Sequence, residues 1–216
     1  MTKTIILDPD WLLALTVALL AGLVNSIHLT YHYHKVNILK PSSKSFCAIS
    51  KTIDCDKVAT SVGSRFMGIP VATLGMFAHW FLLLLILSES CMGLDIEETL
   101  YCAIYVILFL MILFCAYEAF ISFAVLKAVC IMCVVLYLTT GFMFLACRKI
   151  LGLKNGDILG VIRGFVSTPV SQEVISKMAV SLCLAAVSAF VLTFAFDYGF
   201  QRHFESLHGE HATDQC

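Results

Sequence analysis

The sequence predicts an all-α integral membrane protein, with a four-helix transmembrane bundle followed by a fifth transmembrane helix. Of the 216 residues, 60% are hydrophobic and only 13% are charged, whereas a soluble domain carries about 25% charged residues. Five segments approach or match the roughly 20 apolar residues that a spanning helix needs. The net charge of −1 argues against a nucleic-acid partner and leaves the lipid bilayer as the expected surroundings.

Charges and a proline delimit the five segments. The first is expected to be a retained helix, because Asp8 and Asp10 flank it and it exceeds a signal-peptide core in length. Pro70 precedes the second and suits a first helical turn. Glu118 and Lys127 predict a tight hairpin between the third and fourth. The segments cover residues 11–29, 71–87, 100–117, 129–147 and 179–196.

The connections predict which loops share a side of the membrane. Loop 32–68 is long and basic, loop 88–99 is acidic, residues 148–178 form a basic linker, and residues 197–216 form a polar tail. Crossing parity places the first loop, the start of the fourth helix and the tail together. Lys and Arg are slightly more numerous on that side, which the positive-inside rule would make cytoplasmic. Disulfide chemistry needs an oxidising compartment, so we expect this side to face the periplasm of a bacterial inner membrane.

A Cys-x-x-Cys motif, Cys130 and Cys133, opens the fourth helix. Residues three apart share a helix face, and a helix N-terminus lowers a thiol pKa, which favours disulfide exchange. Tyr137 follows one turn later and is a candidate hydrogen-bond donor to a ligand. Two other interpretations are packing of small buried side chains and zinc binding, which would need two further ligands.

A second cysteine pair, Cys47 and Cys55, lies in the first loop with seven residues between its members. Such spacing suits a mobile shuttle, while the alternative is one static disulfide. Because both pairs are expected at the same membrane face, we favour electron relay between them. Other helix cysteines, namely Cys102, Cys115 and Cys183, are expected only to pack.

Histidines provide weaker candidates. His79 would be an ionisable group within a membrane span, which is a functional candidate by default. His28, His32 and His34 follow the first helix and are expected to form an interfacial belt with neighbouring tyrosines, with metal binding as the less favoured alternative. For the tail histidines, solvation is favoured over metal binding; these are His203, His208 and His211.

Taken together, the motifs resemble the vitamin K epoxide reductase family over about residues 10–147. The similarity rests on Cys47-x7-Cys55, Ser61, the prokaryotic-type stretch GIPVATLG at residues 68–75, and Cys130-x-x-Cys133-x-x-x-Tyr137. The resemblance implies a quinone-binding four-helix redox core in residues 1–147.

The resemblance also implies roles for individual residues. Cys133 would meet the quinone, Cys130 would pair with Cys55 during relay, and Cys47 would exchange with a thioredoxin-like partner. Ser61 and Tyr137 would lie near the quinone, and we add His79 as a candidate in its pocket. The implied activity is that of a thiol oxidoreductase that makes disulfides in its partner and reduces ubiquinone or menaquinone, with vitamin K possible.

Two departures from the family pattern matter. Animal members have an asparagine near the start of the second helix, where this chain has Ile69-Pro70-Val71-Ala72, which favours simple quinone reduction over epoxide reduction. Many prokaryotic members continue into a fused thioredoxin domain, whereas this sequence ends at Cys216, so we expect a separate periplasmic partner or a longer parent chain. The rival interpretations are a non-enzymatic Cys/His metal-binding or transport protein, and a structural membrane protein with incidental cysteines.

Overall fold

The computed structural model describes residues 9–40, 45–50, 52–92, 97–153 and 172–213. Within them, five helices are long and apolar enough to cross a membrane, so the chain is an integral multi-pass membrane protein and the expected fold class is confirmed. The helices are α1 (Pro9–Leu39), α2 (Cys55–Ala59), α3 (Val71–Met92), α4 (Glu97–Phe120), α5 (Ile131–Ile150) and α6 (Gln172–Thr213).

Helix α1 is the central element, packing against α3, α5 and α6, while α4 packs on the outer side of α5. Small side chains allow the close approach that membrane helices need. The clearest example is Gly22 of α1, where an added Cβ would lie only 2.3 Å from Nε2 of His79 on α3. Large apolar side chains that point away from the bundle are exposed, as expected for a surface that faces lipid; examples are Leu13, Leu113, Leu138 and Phe190.

Several helices are longer than the sequence predicts. Helix α1 continues ten residues beyond residue 29, through a polar stretch, and α6 begins at Gln172 and ends at Thr213. The polar tail expected from residue 197 is therefore helical as far as Thr213. The expected linker overlaps α6 at residues 172–178, and its residues 154–171 lie outside the described part of the chain.

The chain reverses at the end of the interval from Glu118 to Lys127, in which a tight hairpin was expected, because helical structure continues through most of it. Helix α4 passes into a π-helical turn, Ile121–Leu126, and the chain then reverses at Lys127, which has a left-handed φ of 48°. A π-helical turn is rare and often accompanies a functional site. Here it brings three of its residues to the wall of a cavity, namely Ile121, Ser122 and Leu126.

A short β-hairpin precedes α3 and was not expected from the sequence. Strands β1 (Arg65–Phe66) and β2 (Ile69–Pro70) pair in antiparallel fashion. Both turn residues have positive φ, 51° at Met67 and 87° at Gly68, as a tight type I′ turn requires. Pro70 thus ends a strand immediately before α3, instead of lying in its first turn.

Helix α6 is anchored to the bundle by Asp197. One of its carboxylate oxygens, Oδ1, accepts hydrogen bonds from Thr73 Oγ1 on α3 and from His34 Nε2 on α1, both at 2.8 Å. Nearby, Phe204 is buried against Tyr31 of α1. Polar groups within apolar surroundings must be paired, so this junction fixes the position of α6 along both neighbours.

Candidate active site

The first loop is joined to the start of α5 by main-chain hydrogen bonds. The amide of Val129 donates to the carbonyl of Thr52 at 2.7 Å, and the amide of Asp54 donates to the carbonyl of Val129 at 3.1 Å. These bonds form a parallel bridge between Ile53 and Val129. A cysteine follows each of the two paired residues in the chain: Cys55 comes two residues after Ile53, and Cys130 comes one residue after Val129. The structure therefore confirms that both cysteine pairs lie at the same end of the bundle.

Helix α2 holds Cys55 in place. Asp54 caps the helix by accepting a hydrogen bond from the amide of Lys57 at 2.9 Å, an arrangement worth about 1 kcal/mol. At the other end of the Lys57 side chain, Nζ donates to the carbonyl of Leu126 at 3.0 Å. The helix is thus attached to the π-helical turn as well as to α5.

The four cysteines form one cluster with a clear order. The thiol of Cys47 interacts with that of Cys55, the thiol of Cys55 with that of Cys130, and the thiol of Cys130 with that of Cys133. Cys130 is the N-cap of α5, and its sulfur accepts from the amide of Cys133 at 3.4 Å. All four are free thiols in this structure, and all but Cys133 are buried. Neighbouring sulfurs in this order suit stepwise thiol–disulfide exchange.

The pKa expected for Cys130 is wrong in this all-thiol arrangement. The helix N-terminus does donate to its sulfur, but hydrogen bonding to Cys133, followed by burial, raises the pKa of Cys130 to about 12. Burial, with hydrogen bonding to Cys55, likewise raises the pKa of Cys47 to about 12. Contact with Cys130 and burial raise the pKa of Cys55 above its usual range. In the fully reduced cluster, Cys47, Cys55 and Cys130 are therefore held mainly as protonated thiols at neutral pH.

Cys47 is also less accessible than a residue that meets a partner protein should be. Only 3% of its surface is exposed, while the adjacent Phe46 is 71% exposed and Ile49 is 67% exposed. A partner's sulfur can reach Cys47 only if this part of the loop shifts. Phe46 and Ile49 thus form an exposed apolar surface beside the buried thiol.

A cavity of about 350 Å³ lies directly beneath the cysteine cluster, within the usual size range of ligand pockets. Cys55, Cys130 and Cys133 line it, and Cys47 does not. Most of the remaining wall is aliphatic or aromatic, contributed by α3, α4 and α5. An apolar ligand in the cavity would therefore be in direct contact with three of the four cysteines, but not with Cys47.

Three further predicted site residues line the same cavity. The hydroxyl of Ser61 donates to the carbonyl of Val58 at 2.7 Å. Tyr137 lines it one helical turn beyond Cys133 and deeper in the bundle, as the sequence predicts. His79 is fully buried, its Nδ1 is 2.7 Å from the carbonyl oxygen of Gly75, and its Nε2 lies against α1. The His79 ring therefore shapes the cavity wall.

Sequence reasoning missed several polar residues of the site, among them three ionisable ones. His32 and Glu118 also line the cavity, and Asp56 lies 3.1 Å from His32, measured from Oδ1 to Nε2. The predicted interfacial belt is wrong for His32 and His34, which are both 7% exposed and face carboxylates of other elements. The only sequence signal that pointed to Asp56 as a site residue was its position next to Cys55. Its contact with His32 could not be predicted, because the two residues are 24 positions apart in the sequence.

The fold and site define a multi-pass membrane protein with four adjacent thiols at the mouth of an apolar cavity. The sequence model of the vitamin K epoxide reductase family matches residues 13–147, which span α1 to α5, and the chain belongs to this family. It is accordingly a membrane oxidoreductase of a family that couples thiol–disulfide exchange to quinones. No match was found among curated proteins. Family membership argues against both a purely metal-binding and a purely structural protein.

Proposed function

We propose that the protein oxidises a thioredoxin-like partner and passes the electrons through its two cysteine pairs to a quinone in the cavity. The observation that carries the proposal is the order of the thiols. Cys47 lies in the loop outside the cavity, whereas Cys55, Cys130 and Cys133 line it, and neighbouring sulfurs follow one another in the order Cys47, Cys55, Cys130, Cys133. This order gives electrons a direction, from partner to cavity.

The first exchange takes place at the loop. A partner thiolate attacks Cys47 of a Cys47–Cys55 disulfide, and Cys55 leaves as a thiolate. The partner's second thiolate then attacks the mixed disulfide at the partner's sulfur, which releases an oxidised partner and a reduced Cys47. The high pKa of the reduced Cys47 does not hinder this step, since the attacking sulfur is the partner's.

The second exchange transfers the electron pair to α5. Cys55 attacks Cys130 of a Cys130–Cys133 disulfide and displaces Cys133 as a thiolate. Cys47 then attacks Cys55 of the new Cys55–Cys130 bond, and the loop disulfide is restored while Cys130 is released. A quinone supplies the final acceptor, taking two electrons and two protons as the Cys130–Cys133 pair returns to the disulfide.

The cavity residues suit a quinone better than they suit a polar ligand. The walls of the cavity are predominantly apolar. The hydroxyl of Tyr137 is a candidate hydrogen-bond donor to a quinone oxygen. We propose that Ser61 lies beside the ligand at the loop end and that His79 shapes the wall. Val71 and Ala72 line the cavity and supply no side-chain hydrogen bond, which supports reduction of ubiquinone or menaquinone over a vitamin K epoxide. We further propose that the cysteine end faces the bacterial periplasm.

A turnover assay tests the function. Purified protein receives a reduced thioredoxin-like protein with ubiquinone, menaquinone or vitamin K epoxide in parallel, and quinone reduction and partner thiols are measured. Serine variants of the four cysteines should each abolish turnover, whereas Cys183→Ser, on the exposed face of α6, should retain it. Full turnover by Cys133→Ser would refute the proposal.

Trapping experiments test the order of transfer. Cys47→Ser lacks the sulfur that resolves the Cys55–Cys130 bond, so this disulfide should accumulate when quinone is supplied as oxidant. Peptide mapping by mass spectrometry of the unreduced protein identifies it. A Cys55–Cys133 bond in its place would show that the assigned order within the Cys-x-x-Cys motif is wrong.

A further inference from the structure

A group of metal-ligating side chains adjoins the cysteine cluster and shares one member with it, Cys47, while its other two members, His32 and Asp56, take no part in the proposed route of the electrons. His32 comes from α1, Cys47 from the loop and Asp56 from α2. One ligand atom from each, a nitrogen, a sulfur and a carboxylate oxygen, lies within 4.8 Å of the other two. Among the described residues this is the only such group of three. Three separate elements thus present three different donor atoms to one point.

The same point contains unsatisfied polar atoms. His32 Nε2 and Asp56 Oδ1 are 3.1 Å apart, which is an ion-pair distance, but their orientation does not make a hydrogen bond, and both atoms are buried without any other partner. His32 as a whole is only 7% exposed. Buried polar atoms without hydrogen bonds are uncommon in folded proteins. A cation bound between these atoms would satisfy both of them.

The donor set matches zinc chemistry. Zn²⁺ binds cysteine sulfur at about 2.3 Å and histidine nitrogen or carboxylate oxygen at about 2.0–2.2 Å, and sites with three protein ligands keep a fourth position open. The three atoms need only a small inward shift to reach such distances. The other oxygen of Asp56, Oδ2, accepts from the amide of Ser45 at 2.9 Å, an outer contact of the kind that orients a metal ligand.

We propose that His32, Cys47 and Asp56 form a Zn²⁺ site that exists only while Cys47 is reduced. Zinc binding would occupy the sulfur of Cys47, and this sulfur would then be unable to form a disulfide with Cys55 or with a partner. The site would therefore make thiol oxidation sensitive to zinc. The binding itself does not depend on the proposed quinone reaction.

The direct test is zinc titration of the full-length reduced protein in detergent, in competition with a chromophoric chelator. The expected result is one tightly bound Zn²⁺ per chain. His32→Ala and Asp56→Asn should each weaken binding by about tenfold or more, while the matched control His203→Ala, an exposed histidine on α6, should bind as the parent protein does.

Two other outcomes would overturn the site. Binding that survives His32→Ala but is lost in a Cys130→Ala, Cys133→Ala double variant would place the zinc at the Cys-x-x-Cys motif. Binding that is equally tight after oxidation to disulfides would exclude Cys47 as a ligand.

Cobalt provides a measurement that does not depend on the folding of the His32 or Asp56 variants. Co²⁺ added to the reduced parent protein should give thiolate-to-metal charge-transfer absorption, and Cys47→Ser should abolish it. Its absence from the reduced parent protein would also refute the proposal.

Discussion

Replacing Gly22 by alanine should destabilise the bundle, because the His79 side chain of α3 occupies the space that the new methyl group of α1 would need. The added Cβ would lie 2.3 Å from Nε2 and 2.6 Å from Cδ2 of His79, closer than carbon atoms pack. The His79 ring cannot retreat without breaking its 2.7 Å contact with the carbonyl oxygen of Gly75. The helices must therefore separate or the ring must rotate.

The magnitude follows from these contacts. Overpacking a core position costs about 1–3 kcal/mol, and losing the His79 hydrogen bond costs about 0.5–1.5 kcal/mol. Alanine recovers about 0.5–1 kcal/mol over glycine in a helix. The net destabilisation expected for Gly22→Ala is about 1–3 kcal/mol.

Gly141 supplies a matched control within α5. Nothing lies within 4 Å of a Cβ added there, so Gly141→Ala should show only the gain in helix propensity. Thermal unfolding in detergent should separate the two variants by roughly 10 °C, at about 2–4 °C per kcal/mol for a chain of this size.

A double variant gives the decisive comparison. Shortening His79 to alanine removes the clash, so Gly22→Ala combined with His79→Ala should be more stable than the sum of the single effects predicts, by about 1–3 kcal/mol. Equal melting temperatures for Gly22→Ala and Gly141→Ala, or strict additivity in the double variant, would refute the reasoning.

Four further predictions concern the site and its supports. Asp197→Ala removes the acceptor shared by two neighbouring helices and should cost about 1–3 kcal/mol in thermal unfolding, unlike Gln201→Ala one turn further along α6. Alkylation of Cys47 in the reduced protein should rise by about tenfold per pH unit from about pH 7 to about pH 10 without levelling, because burial raises its pKa to about 12. Tyr137→Phe should raise the KM for quinone by about fivefold, the value of one hydrogen bond of about 1 kcal/mol, with partner oxidation otherwise unchanged. Val129→Pro removes the amide that donates to the loop at 2.7 Å and should uncouple the two cysteine pairs.

Specific results would contradict the predictions for Cys47, Tyr137 and the loop bridge. An alkylation rate that levels near pH 8.5, the region of an ordinary thiol pKa of about 8.5, would show that Cys47 is not buried in solution. An unchanged KM for Tyr137→Phe would remove Tyr137 from the binding residues. For the loop bridge, Val129→Ala keeps the amide and should transfer electrons normally; loss of transfer in this variant would point to side-chain packing.

The pH dependence of stability follows from the same thiols with a definite sign. A thiol whose pKa is raised by folding stays protonated in the native state after the unfolded chain has begun to ionise. Its contribution to stability is therefore complete below about pH 8.5 and is lost as the pH rises towards about 12. Reduced protein should consequently lose stability in alkali, and Cys47→Ser should lose less.

The sequence predicts those features of this molecule that depend on composition or on local spacing. Five apolar segments give the five spanning helices, and crossing parity places both cysteine pairs at one end. The position of Tyr137 one helical turn beyond Cys133 follows from the helical repeat alone. Each of these inferences needs only residues close together in the chain, or the thickness of a bilayer.

The features that the sequence does not predict arise from contacts between distant residues. Helix α1 continues through His32 and His34 because carboxylates of α2 and α6 face them, so residues that are typical of a loop are buried in a helix. The π-helical turn has no distinctive sequence, and it depends on the reversal at Lys127. The elevated pKa of Cys130 reflects the neighbouring sulfurs, which outweigh the helix N-terminus.

The parallel bridge at Val129 consists of main-chain atoms only. The alignment of the loop with the start of α5 therefore does not require particular side chains at residues 53 and 129. Many residue types should be tolerated at these two positions. Proline is the exception at 54 and 129, since both positions need an amide hydrogen. The alignment of the two cysteine-bearing segments thus tolerates changes of side chain at residues 53 and 129, while the side chains of Asp54 and Lys57 remain necessary to hold α2.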